Sequence, residues 1–122
     1  MTDQIHKILL FMKRRQGMSV AEFRDYYENR HVPLCMKYVS GIKRYVRRYL
    51  DPQPHPETGN GDDLGYDVIT ELWFDDETVF RATLKHLSTN LMPDEVIEDE
   101  KHLFDRASFR IATSSEVVTE LS

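Results

Sequence analysis

Strand and helix signals follow one another in a fixed order along this chain, and that order limits the available folds more than any other feature does. Residues 5–13 form a short apolar run with Ile8, Leu9, Leu10 and Phe11 at its middle, and the run closes at Gly17. Length and flanks predict a strand. Ser19-Val20-Ala21-Glu22 then reads as a capping box, in which the Ser hydroxyl and the Glu carboxylate each satisfy an orphan backbone N–H, so a helix starts there. Val20, Phe23, Tyr27, Arg30 and Leu34 continue at three- and four-residue spacing, giving one face to bury. Pro33 is expected to end or kink that helix near His31.

Gly41 opens a second strand over residues 42–50, where Ile42, Val46 and Leu50 alternate with charged and tyrosyl positions. Residues 51–65 hold three prolines and three glycines. A loop of that length in a compact domain usually has a task, and this one is a candidate lid. Residues 66–74 predict a third strand, with Val68, Leu72 and Phe74 on one face and Ile69 and Trp73 on the other. Asp75 or Asp76 caps a second helix through Val79, Phe80, Leu84 and Leu87, an acidic helical stretch runs from Pro93 to about Leu103, and residues 107–113 make a last strand. Two β-α-β units of similar length predict an α+β domain: a ferredoxin-like four-stranded antiparallel sheet with helices on one face. The other sheet face is left to line water, a ligand cavity or a partner sheet.

The 122 residues fall within the size of one domain, 1–122, with no linker dividing them. A chain this short has a poor surface-to-volume ratio, so a partner subunit is a natural source of extra burial. The net charge of −5 disfavours a nucleic-acid backbone as partner. Lys43, Arg44, Arg47 and Arg48 are the local exception, but on a strand they alternate faces in pairs and cannot form one basic stripe. No apolar run reaches the roughly eighteen residues of a membrane span. The single cysteine, Cys35, and an N-terminus without signal-peptide character predict a reducing cytoplasm.

The segment KILLFMKRRQGMSVAEFRDYYENRHVPL carries Ser19, Phe23, Tyr27, His31 and Pro33, with the tyrosine one place later than in the pattern it resembles. That pattern belongs to the EthD-like family of the dimeric α+β barrel superfamily, and GIKRYVRRYL and ITELWF are similar to it as well. The resemblance implies a homodimer in which the sheets close into an α+β barrel. Within the superfamily the chain looks most like the methylmuconolactone isomerases, which implies that His31, Tyr45 and His55 gather around a lactone. The third strand departs from those isomerases: where they carry Cys between Glu and Trp, this chain has Leu72. Other activities implied by the superfamily are polyketide cyclisation, dehydration and cofactor-free oxygenation of aromatic polyketides.

The residues themselves suit proton transfer. A neutral imidazole near pH 7 can take and give a proton, and His31 is the first candidate for that base, with helix C-terminal capping as its structural alternative. Tyr45 could donate to a developing enolate oxygen or simply pack, and His55 sits in a Pro-His-Pro loop where binding groups collect. His86 is a reserve acid-base group. Tyr27 is counted among the substrate-binding side chains, while Phe11, Tyr49 and Trp73 could form an aromatic wall or plain core. Glu71, a carboxylate on a central strand, needs a partner, and Arg44 or Arg48 could supply it. The histidines lack metal-ligand spacing, and no phosphate loop or nucleophile elbow appears. The expectation is a cofactor-independent isomerase, cyclase or lyase acting on an apolar aromatic, polyketide or lactone-like small molecule. The alternatives are a non-catalytic small-ligand or haem-binding dimer and a cofactor-free monooxygenase.

Overall fold

The structure, a computed structural model, describes residues 4–122. Strand β1 (His6–Arg14) turns through Gly17 into helix α1 (Val20–Tyr26), a wide π turn (Tyr27–His31) and helix α2 (Val32–Cys35). Strands β2 (Arg44–Tyr49) and β3 (Val68–Phe74) follow, then helices α3 (Glu77–Thr89) and α4 (Asp94–Leu103), and strand β4 (Phe104–Thr113). The four strands form one sheet in the order β2-β3-β1-β4, with every neighbouring pair antiparallel. This is the ferredoxin-like α+β arrangement that the element order predicts.

Both predicted caps form. Ser19 Oγ accepts from Glu22 N at 3.1 Å while Glu22 Oε1 accepts from Ser19 N at 3.4 Å, and Asp76 Oδ1 accepts from Thr78 N at 2.8 Å. Pro33 does not end the first helix, which continues to Cys35. Proline has no N–H to give the carbonyl four residues back, so the turn before it widens, and Val32 N bonds Tyr27 O across five residues. Strand β4 begins three residues earlier than expected. It follows α4 without a loop, and Phe104 and Asp105 already pair with Arg14 and Lys13.

Alternation decides what each side of the sheet meets. Ile8 and Met12 of β1, and Val68, Leu72 and Phe74 of β3, are buried toward the helices. Phe23 of α1 packs edge-on against Tyr27 at 6.0 Å and Phe104 at 5.8 Å, while Val79, Phe80 and Leu84 of α3 cover Ile8, Leu72 and Phe74. Gly41 (φ 74°) is required at its turn, because a Cβ there would stand 2.8 Å from Val79 Cγ1. Among the described residues no helix is long and apolar enough to cross a membrane.

Candidate functional site

Phe23, Tyr27, His31 and Cys35 recur every four residues, so they share one face of the helical segment despite its wide turn. Phe23 fills the core. The next three reach a cavity of about 230 Å³ between helices and sheet. Leu10, Met12, Val96, Phe109 and Ile111 give that cavity apolar walls, and Tyr27, His31, Cys35, Tyr45 and Glu100 give it a polar end. The cavity lies on the helix side of the sheet, because alternation leaves Tyr45 of β2 pointing toward the helices, opposite Leu72 of β3.

His31 is 4% exposed and both its ring nitrogens are engaged. Nδ1 lies 2.9 Å from Asp99 Oδ2, and Nε2 lies 3.3 Å from Cys35 Sγ. A carboxylate can only accept, so the ring proton belongs on Nδ1 and the Nε2 lone pair faces the cavity, shared with the weak S–H donor of Cys35. Tyr26 donates to the other oxygen of Asp99 at 2.5 Å, which fixes the carboxylate. Tyr27 bonds Thr70 through its hydroxyl, and the Tyr45 hydroxyl lies beside both Tyr27 and the Cys35 thiol.

Burial sets the protonation of this group. It pushes the His31 imidazole below its ordinary value, against the pull of Asp99, so the neutral ring is favoured. It pushes the Cys35 thiol up to about 12, helped by the charges of Glu100 and Asp99, and the Tyr27 and Tyr45 phenols far upward. The Glu100 carboxyl is raised too, by burial and by Asp99, with Arg106 opposing. The site therefore offers one neutral base beside a thiol and two phenols that hold their protons.

The sequence model of the EthD domain matches residues 15–107, which is most of the chain. The chain belongs to the EthD family. Solved structures agree at the level of fold. An EthD family protein of Bacillus halodurans C-125 is 14% identical, with a TM-score of 0.56 over 93% of this chain and 100% of its own. A protein of Arabidopsis thaliana is 12% identical, with a TM-score of 0.54 over 95% and 99%. An EthD-like protein of Ralstonia eutropha JMP134 is 18% identical, with a TM-score of 0.52 over 99% and 98%. No curated protein sequence matches the chain.

Within this EthD domain the other candidate residues lie apart from the cavity. Tyr49 packs against Phe23 and Tyr27 in the core behind it, its hydroxyl bonded to Glu28, which also takes both Nε and Nη2 of Arg47. Phe11, Glu71 and Trp73 stand on the opposite sheet face. There Arg48 is the partner of Glu71, Nε to Oε2 at 2.6 Å, and Trp73 Nε1 donates to Oε1 at 2.8 Å. Burial alone would raise the Glu71 carboxyl, but Arg48 and Trp73 hold it below its ordinary value. Lys7 and Arg44 lie 4.2 and 4.6 Å from the Trp73 ring centre. Phe11 meets Tyr66 at 5.5 Å.

His55 is exposed in a self-contained turn, accepting Glu57 N at its Nδ1 and Gly59 N at its carbonyl. His86 is exposed on α3, bonded to Asn90, and borders a separate groove of about 510 Å³ that shares Leu87 and Met92 with the cavity. Asp99, Glu100, Cys35 and Thr70 were not singled out by sequence. The four-residue step from His31 to Cys35 was the one available signal. Among the described residues no three His, Cys, Asp or Glu side chains converge to hold a metal ion.

Proposed function

We propose that this EthD protein is a cofactor-independent acid/base enzyme, an isomerase, cyclase or lyase, acting on an apolar aromatic, polyketide or lactone-like small molecule. One observation carries the reading: a buried, neutral histidine, oriented by Asp99, presents Nε2 to the polar end of an otherwise apolar cavity. His31 takes a proton from carbon α to a carbonyl, giving up only a weak thiol hydrogen bond, and Tyr45 donates to the oxygen where charge develops. The lactone-isomerase form of this proposal rests on His31 and Tyr45, since His55 lies outside the cavity. Phe11, Val46, Ile69 and Trp73 are only half-buried in a single chain, and a second copy lying against that face completes a homodimer.

The test is exchange of the α-hydrogens of 1-indanone in D2O, followed by NMR alongside native mass spectrometry of the purified protein. The expected result is exchange above the buffer rate, lowered about 10²- to 10⁴-fold by His31→Ala with the melting temperature preserved. Undiminished exchange in His31→Ala would overturn the assignment. A cavity that binds 1-indanone without exchanging it would favour the non-catalytic ligand-binding reading.

A further inference from the structure

Glu100 is 8% exposed, yet it is incompletely bonded. Its Oε1 receives Arg106 Nε at a long 3.3 Å, and no donor among the described residues reaches Oε2. That oxygen is not sealed in the protein interior, and Glu100 shares the cavity wall with His31 and Tyr45. A buried carboxyl with half its capacity unused is costly unless something else meets it. In this cavity water or a ligand can meet it.

We propose that Glu100, in its carboxylic acid form, is a second donor to the substrate carbonyl oxygen, facing the same atom as Tyr45, so that the site forms a neutral enol instead of a bare enolate. The inference rests on the acid/base reading of the site. In the step, the α C–H bond breaks and its proton passes to His31 Nε2. The electron pair becomes the C=C bond, and the carbonyl oxygen takes the Glu100 proton, leaving the carboxylate. Reversal restores both groups. Buried carboxylic acids in apolar sites serve as such donors when burial keeps them protonated. Burial and Asp99 favour that form here and Arg106 opposes it. The groups facing Glu100 are Asp99 on its own helix and Arg106 on β4, with Cys35 on α2, His31 on the π turn and Tyr45 on β2 across the same cavity.

The pH profile of 1-indanone exchange tests this with three proteins. Wild-type exchange rises as His31 loses its proton and falls as Glu100 loses its own. Glu100→Gln keeps a donor that does not titrate, so the alkaline fall disappears while part of the rate remains. Glu100→Leu lowers the rate about 10²- to 10³-fold. Because Glu100→Leu could disturb packing, Glu100→Gln with an unchanged melting temperature is the deciding variant. A Glu100→Gln profile that superimposes on wild type, while His31→Ala still abolishes exchange, overturns the role of Glu100 and leaves the site reading standing. Absence of wild-type exchange at every pH overturns both.

Discussion

Even-numbered residues of β1 and β3 meet helices, whereas odd-numbered ones such as Phe11, Glu71 and Trp73 face away from them and meet only side chains of the same sheet face and its loops. The covered side is filled by interlocking rings and closes its polar groups into fixed pairs: Asp99 with His31, Tyr27 with Thr70, Glu28 with Arg47. The open side instead lays Lys7, Arg44, Arg48 and Glu71 around a single tryptophan, with Arg48 still half exposed. Charges at the rim of water cost little to keep, while polar groups inside a core are costly unless they are satisfied. On the proposed reading, proton chemistry uses the side with fixed pairs, and a second copy covers the open one.

Removing one ring from each side gives the sharpest contrast. Phe23→Ala empties the centre of the aromatic cluster and should cost about 3–5 kcal/mol in a urea melt at any protein concentration. Phe11→Ala should cost far less in dilute protein, and its effect should grow with protein concentration if a second copy covers the open face. Equal, concentration-independent losses would erase the distinction. Next in size is Glu71→Gln, which should leave the isolated chain within about 1 kcal/mol of wild type because Arg48 is half exposed. Where a partner sheet desolvates the pair, the variant weakens the dimer instead, and sedimentation at several concentrations reads it.

The smallest effect is in the pH dependence of stability. His31 is depressed in the folded state, so its contribution is present above the ordinary imidazole range and lost as pH falls through the lowered folded value. Glu100 is raised, so its contribution is present below the ordinary carboxyl range and lost as pH rises through the folded value. Thermal melts should therefore show Glu100→Gln gaining on wild type at neutral pH relative to acid. A gain independent of pH would mean that the carboxyl is paired and ionised throughout.

Local signals carried most of the architecture. The Ser19–Glu22 box, the Asp76 cap and the strand alternation around Val68, Leu72 and Phe74 are short-range chemistry, and they turned up where sequence placed them. His31 and Tyr45 were legible as chemical types, and the fold brings them to one cavity. Their companions were hidden for a physical reason. Asp99 and Glu100 belong to a helix with five acidic residues among ten, where no period tells which carboxylates turn inward; only the approach of α4 to the π turn decides that. Leu103 passing directly into β4 also offered no glycine or proline to mark the junction. The side of the sheet on which the cavity lies was hidden likewise, since alternation gives two faces but not which of them the helices leave loose.

Cys35 is the chain's only thiol, and it is buried against His31 at the wall of that cavity. Its attack on a maleimide in folded protein depends on the reagent reaching that cavity, so the labelling rate reads access to it. One added mass per chain then reports how open the cavity wall is, with no substrate required.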